Sequence, residues 1–179
     1  MKIFAETERF ILREILPTDV EGFFEMDSDP EVHRYLGNKP VKSRAQVVEI
    51  IEFIRQQYID HGIGRWAIVD KENKDFIGWT GLKFITELTN NHKYYYDLGY
   101  RLLRKYWGKG IATETALASL NYAFREMKLD EVIGIADYEN VASNNVLKKA
   151  GLKFIEGFDY EGTPHNWYRI DNIEFKNRK

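Results

Sequence analysis

Two glycines and a lysine, set between a strand pattern and a helix pattern, form the clearest chemical signal in this sequence. Residues 106–124 read YWGKGIATETALASLNYAF, and the alternating, aromatic-rich YYYDLGYRLL precedes them. The first turn of a helix exposes unpaired backbone N–H groups, and its dipole adds about half a positive charge. Gly108 and Gly110 let the backbone approach an anion closely, and Lys109 adds a mobile cation. The pattern predicts a phosphate-binding loop; a tight turn without a ligand is the alternative.

This loop matches neither of two common nucleotide-binding motifs. It is not G-x-x-x-x-G-K-[ST], because only Gly108 and Gly110 flank the lysine and Ile111 follows. It is not G-x-G-x-x-G, because Thr113 stands at the third glycine. The identity of the phosphate ligand must therefore be inferred from another part of the sequence.

A second motif follows about thirty residues later. Residues 131–138, EVIGIADY, have a strand pattern and lead into ENVASNNVLKKAGLKFIEG. Asn140 and Ser143 are predicted to precede a short helix, Asn144 to Ala150, which ends at Gly151.

Together the two stretches resemble the GCN5-related N-acetyltransferases (GNATs). The family's [Q/R]-x-x-G-x-[G/A] loop, which cradles the acetyl-CoA pyrophosphate, is similar to residues 107–112. Trp107 departs from the usual Gln or Arg, but Y-W-G-K-G-x-A-T-E is common in the subgroup resembling ribosomal-protein-alanine N-acetyltransferases. The family's N-x-x-S-x-x-x-L-x-K-x-G element matches Asn140 to Gly151. The opening R-F-I-L-R also resembles that subgroup, so the resemblance covers nearly the whole chain.

The resemblance implies that acetyl-CoA lies between two splayed parallel strands. The first strand would pair with the pantetheine arm, the glycine-loop amides would hold the pyrophosphate, and asparagine side chains and nearby cations would add contacts. The implied cofactor-binding residues are Leu98, Tyr100, Arg101, Leu102, Leu103, Arg104, Trp107, Gly108, Lys109, Gly110, Ile111, Ala112, Thr113, Asn140, Ser143, Asn145 and Lys148.

The implied reaction is direct acetyl transfer from the thioester to an amine. It needs a base, an oxyanion donor and an acid for the leaving thiolate. Ser143 resembles the thiolate-protonating serine of the subgroup, with a helix cap as its alternative role, and Tyr138 is a second candidate acid. Asp97 and Glu87 are candidate bases, and the backbone N–H of Leu102 or of a neighbouring residue in the strand is the candidate oxyanion donor.

The elements that must position these residues predict an α/β (α+β) fold, and the resemblance implies a single N-acetyltransferase domain of the GNAT fold over residues 1–179. We expect a mixed central sheet of about six to seven strands flanked by about four helices. The predicted helices are 18–26, 43–62, 110–127 and 144–150, and the predicted strands are 8–15, 65–69, 76–85, 94–103, 131–138 and two in the tail.

Composition narrows the classes of function. The chain has 179 residues, 44% hydrophobic and 30% charged, and a net charge of −2 gives no electrostatic case for binding nucleic acid. Cysteine is absent, which excludes disulfides and a thiol nucleophile. No signal peptide or run of 18 apolar residues is present, so we expect a cytoplasmic protein. The four histidines lack metal-ligand spacing, so no metal is expected.

The family resemblance implies an acetyl-CoA-dependent N-acetyltransferase acting on a primary amine, above all on a protein or peptide N-terminus. A small-molecule acceptor, such as an aminoglycoside, a polyamine or an amino-acid-like amine, is the first alternative. A non-catalytic CoA-binding or sensing module is the second. The acceptor, the use of other acyl groups, and the choice between monomer and homodimer stay open.

Overall fold

A computed structural model of the chain describes residues 1–177 as one mixed eight-stranded sheet with helices on both faces. The strand order is β1-β2-β3-β4-β5-β6-β8-β7, and every neighbouring pair is antiparallel except β5–β6. The strands are β1 Ile3–Glu6, β2 Phe10–Glu14, β3 Arg65–Asp70, β4 Phe76–Ile85, β5 Tyr95–Leu102, β6 Glu131–Asp137, β7 Lys153–Tyr160 and β8 Thr163–Asp171. The helices are α1 Val20–Asp27, α2 Pro30–His33, α3 Arg44–His61, α4 Ile111–Arg125, α5 Val141–Ala150 and α6 Asn172–Lys176.

The mixed α/β fold predicted from sequence is confirmed, with slightly more elements than expected. The described residues contain eight strands and six α-helices, against about six to seven and about four. The additional elements, β1, α2 and α6, are only four or five residues long. Segments this short do not display a hydrophobic period, and they form because the neighbouring chain provides partners.

Alternate residues of β3 show how the sheet separates two cores. Trp66 and Ile68 pack in the cluster beneath α4 and α5. Ala67 and Val69 pack in the cluster beneath α1, α2 and α3. Side chains that alternate along a strand point to opposite faces, so every later residue can be assigned to the α4–α5 face or to the α1–α3 face.

The parallel strands β5 and β6 separate soon after they meet. Their registered pairs are Asp97 with Ile133 and Leu98 with Gly134, whereas both strands continue beyond these rungs. Helix α5 packs tightly on β6, since a Cβ at Gly134 would lie 2.6 Å from Leu147 Cδ2. The sheet is therefore split on the C-terminal side of this pair, between two regions that are otherwise continuous.

None of the helices within residues 1–177 is both long and apolar enough to cross a membrane.

Candidate active site

The split between β5 and β6 exposes backbone groups of alternate β5 residues. Leu103 N donates to Ile77 O at 3.0 Å, in the same register as the β4–β5 ladder. Hydrogen-bonded pairs alternate in an antiparallel ladder, so Leu98, Tyr100 and Leu102 direct their N–H and C=O groups away from β4. Because pairing with β6 ends at Leu98, the groups of Tyr100 and Leu102 face the split.

This alternation divides the predicted cofactor-binding residues of β5 into two sets. Leu98, Tyr100 and Leu102 have the orientation expected of strand residues that pair with an inserted arm. Arg101 and Leu103 instead use their backbone groups toward β4, and the Leu103 N–H is already engaged there. The cofactor contacts predicted for Arg101 and Leu103 stay predictions, and they cannot use the backbone groups directed at β4, because a strand presents backbone groups to a given edge only at every second residue.

The glycine loop ends at the N-terminus of α4, as predicted. Gly108 and Gly110 have φ values of 72° and 74°, in the left-handed region that favours glycine. Nothing lies within 4 Å of a Cβ placed on Gly108, and no side chain caps α4, whose N-cap is Gly110. The first-turn amides of Ile111, Ala112 and Thr113 are thus left for an anion.

Trp107 fastens this loop to the end of β5. Its indole Nε1–H donates to Leu102 O at 3.0 Å, while the ring remains 45% exposed. The bond uses the carbonyl of the last β5 residue and leaves the Leu102 N–H facing the split. Trp107 therefore ties the glycine loop to the end of β5.

The predicted phosphate cations differ in their surroundings. Arg104 forms an ion pair with Asp29 at 3.0 Å, so its charge is largely balanced. Lys109 is exposed, with its Nζ 5.3 Å from the ring centre of Tyr106. Lys148 lies in the last turn of α5, about 12 Å along the helix from its N-terminus. Lys109 is the cation of this set placed directly in the glycine loop.

Helix α5 begins earlier than the sequence indicated, and this changes the position of Ser143 relative to the helix. Asn140 is the N-cap, and its Oδ1 accepts from Ser143 N at 3.1 Å. Ser143 is therefore inside the first turn, and the expectation that it precedes the helix, with a cap as its alternative role, is wrong. The reason is that Asn140 accepts from the Ser143 N–H and so starts the helix three residues before the predicted cap.

The Ser143 hydroxyl contacts the opposite side of the split through Tyr100. Tyr100 Oη donates to Ser143 O at 2.9 Å and lies 3.1 Å from Ser143 Oγ. A phenol has a single proton, so the Ser143 hydroxyl donates to Tyr100 Oη in this arrangement. Burial raises the pKa of Tyr100, which keeps the phenol protonated. The Ser143 proton is thus held beside the split by a neutral partner.

A buried asparagine that sequence reasoning overlooked fixes this end of α5. Asn144 is 6% exposed, and its Nδ2 donates to both Asp137 O and Asn140 O at 2.8 Å. Its Oδ1 accepts from Asn166 Nδ2 and Tyr168 Oη. The neighbouring Asn145, predicted as a cofactor contact, is exposed. Two adjacent asparagines look alike in the sequence, so residue type alone does not show which side chain turns inward.

The candidate base Asp97 is already engaged on the α1–α3 face. Its carboxylate pairs with the Arg65 guanidinium, which also donates to Asp97 O at 2.8 Å and to Gly81 O at 2.6 Å. Burial raises the pKa of Asp97, and the Arg65 charge opposes that rise. Gly99 leaves room for this contact, since a Cβ there would lie 2.7 Å from Arg65 Cζ.

The other two candidate catalytic residues lie at the rim. Glu87 is exposed in the loop after β4, and a hydrogen bond from its own backbone is the main cause that lowers its pKa. Tyr138 follows β6 and is 67% exposed, with its backbone N–H bonded to Pro164 O. The structure thus brings Ser143 and Tyr100 together, but brings neither Glu87 nor Tyr138 to them by a hydrogen bond.

A charged pair beside the glycine loop was also missed. Arg9 Nε and Nη2 donate to Glu114 Oε2 at 2.8 and 2.6 Å, and Nη2 also donates to Lys109 O at 3.2 Å. The partners are 105 residues apart. An acidic residue in the first turn of α4 was visible in the sequence, but its cation was not.

The geometry combines an anion-binding helix terminus with a strand edge open to an extended ligand and a serine hydroxyl beside that edge. No group of three or more His, Cys, Asp or Glu side chains suited to a metal ion occurs within residues 1–177. The arrangement suits a ligand that carries phosphate at one end and a polar, strand-pairing arm at the other.

Comparisons with known proteins agree with this geometry. The family model of the acetyltransferase (GNAT) domain matches residues 9–153. The uncharacterised N-acetyltransferase YoaA of Bacillus subtilis (strain 168) is 30% identical over 165 residues, covering 90% of this chain and 91% of that protein.

Two solved structures share the fold. RimL, a ribosomal L7/L12 alpha-N-protein acetyltransferase in complex with coenzyme A, has a TM-score of 0.79 at 17% identity, covering 95% of this chain and 98% of its own. A spermidine N-acetyltransferase from Vibrio cholerae, in complex with CoA and spermine, has a TM-score of 0.76 at 18% identity, covering 96% and 100%. These likenesses concern the fold, and the two enzymes act on different classes of acceptor.

Proposed function

The chain belongs to the GNAT family of acetyltransferases, and from this premise we propose that it transfers the acetyl group of acetyl-CoA to an α-amine at a protein or peptide N-terminus. The observation that carries the proposal is the split between β5 and β6 beside the uncapped, glycine-led N-terminus of α4. The loop amides would hold the diphosphate, and the Tyr100 backbone groups would pair with the pantetheine arm. Acetyl-CoA supplies an activated thioester when bound.

Ser143 is the proposed acid of the reaction. The amine forms a C–N bond to the thioester carbonyl, the C–S bond breaks, and the amine loses a proton to water. Ser143 gives its proton to the departing thiolate, and the serine oxygen takes a proton back from water, which restores the hydroxyl. Its position beside the split and its hydrogen bond to a neutral Tyr100 support this role. The Leu102 N–H, left facing the split, is the proposed donor to the oxyanion.

The engagement of Asp97 supports an α-amine as the acceptor. An α-amine has a pKa of about 7.7–8.0, whereas a lysine side chain titrates near 10.4. At pH 7.5 the former is substantially neutral, but only about one lysine amine in a thousand is. Since Arg65 already pairs with the partly buried Asp97 carboxylate at the start of the split, an acceptor that needs little deprotonation fits best.

Titration calorimetry with acetyl-CoA and with CoA, followed by a thiol-release assay over several amines, tests the proposal. The panel contains peptides with free and with blocked N-termini, polyamines, aminoglycosides and amino acids. We expect binding of both CoA forms and thiol release with free N-termini. Release only with small amines would move the assignment to a small-molecule acceptor, and binding without release across the panel would favour a sensing module. Absence of CoA binding would refute the proposal.

A further inference from the structure

The Arg9–Glu114 pair lies where the diphosphate of CoA would bind. Its carboxylate belongs to the first turn of α4, and Glu114 N donates to Gly110 O at 3.0 Å. Its guanidinium lies against the glycine loop, since Nη2 bonds to Lys109 O and is 4.0 Å from a Cβ placed on Gly110. The pair therefore contacts both the loop and the helix that form the anion site.

We propose that Arg9 is a positioning residue of the cofactor site, which cancels the charge of Glu114 and so permits a phosphate-bearing acyl donor to bind. This inference rests on the proposed function, because it names a determinant of donor binding at the same site. It does not require Arg9 to touch the donor.

The physical reason is a conflict at the start of α4. A carboxylate in the first turn stabilises a helix by interacting with its dipole. The same carboxylate lies about one helical turn, roughly 5 Å, from the amides that attract phosphate, and two anions at this separation repel each other. Arg9 resolves the conflict through its hydrogen bonds and its charge. Glu114 still stabilises the start of the helix, and the guanidinium cancels the repulsion between its carboxylate and a bound phosphate.

The pair is also built to stay formed. Three contacts join the Arg9 side chain to two partners, and Arg9 N lies 3.5 Å from Glu114 Oε1. Burial would raise the pKa of Glu114, but hydrogen bonds from Thr7 and Arg9 outweigh it and lower the pKa. The carboxylate is therefore charged at neutral pH, and it would repel a phosphate if the guanidinium were removed.

Calorimetric titration of three variants with CoA tests the inference. The variants are Arg9→Gln, Glu114→Gln and the double substitution. We expect Arg9→Gln to weaken CoA binding on the order of tenfold at low ionic strength, and less at high salt. Glu114→Gln should change affinity by less than about threefold, and the double variant should return to within about threefold of the wild type.

Two controls separate this effect from structural damage. Arg44→Gln removes an equivalent guanidinium, which pairs with Glu21 at 2.7 Å on the α1–α3 side, and should leave CoA affinity unchanged. S-acetylpantetheine lacks the diphosphate, so its KM should be the same in Arg9→Gln and in the wild type. Thermal unfolding confirms that each variant is folded at the assay temperature.

Wild-type affinity in folded Arg9→Gln would overturn the inference. So would a double variant as weak as Arg9→Gln, since this would mean that Arg9 acts by direct contact and not through Glu114. An equal loss with S-acetylpantetheine would overturn it as well. In each case the wild-type protein still binds CoA, whereas a wild-type protein that binds no CoA would refute the proposed function itself.

Discussion

Replacing Ser143 by alanine, at the N-terminus of α5, should lower turnover while leaving the stability of the protein nearly unchanged. The backbone N–H of residue 143 is capped by Asn140, so the substitution leaves the cap intact. The hydroxyl's contact is with Tyr100 Oη, and losing it costs about 0.5–1.5 kcal/mol. Alanine recovers about 0.5 kcal/mol as the better helix former. We therefore expect the free energy of unfolding to change by less than about 1 kcal/mol.

Turnover should respond very differently to the same change. Removing a general acid typically costs about 10²–10⁴ in rate. Since the loop amides and the β5 edge are untouched, CoA affinity should stay within about threefold. The assay is thiol release at saturating acetyl-CoA, with CoA titration and urea unfolding on the same preparation.

Asn140→Ala provides the matched comparison. It removes the helix cap and should lower the unfolding free energy by about 1 kcal/mol, while Ser143 keeps its hydroxyl. Ser143→Ala with full turnover and unchanged CoA affinity would refute the acid assignment. A loss of stability in Ser143→Ala equal to that of Asn140→Ala would refute the view that the cap lies at residue 140.

Three further outcomes are expected. Gly110→Glu should abolish measurable CoA binding, because it places a carboxylate in the anion site. Gly162→Glu is the control: it has the same left-handed strain (φ 83°) in the β7–β8 turn and should bind CoA normally. Asp97→Asn should lower the unfolding free energy by about 3–5 kcal/mol, because it leaves the largely buried Arg65 unpaired. The folded fraction should keep the wild-type pH–rate profile. An altered profile would restore Asp97 as a base. Burial lowers the pKa of His33 in the folded protein, so the unfolded chain binds the proton more readily and stability should fall as pH drops below about 6.5. In urea unfolding, the free energy of unfolding of His33→Asn should depend less on pH between about pH 5 and 6.5 than that of the wild type. An unchanged slope would contradict this origin.

Local chemistry explains why much of the frame could be predicted. Ser43 caps α3 and Gly62 ends it in a left-handed conformation, as expected from residue type alone. Gly110, also in a left-handed conformation, is the N-cap of α4. Such signals act within a few residues and survive in the sequence. The start of α5 was misplaced because Asn140 and Ser143 are both good caps, and sequence proximity does not decide between them.

The sequence by itself determined the glycine loop before α4, the order of the main strands and helices, and the family resemblance, because each depends on residue types at short, fixed spacings. Only the tertiary structure decided which groups are available for chemistry. It paired Asp97 with Arg65, turned Asn144 inward, placed Tyr100 against Ser143 across the split, and brought Arg9 to Glu114. These contacts join residues distant in the chain or choose between equivalent neighbours, and their energies depend on three-dimensional distance and burial, which no local pattern encodes.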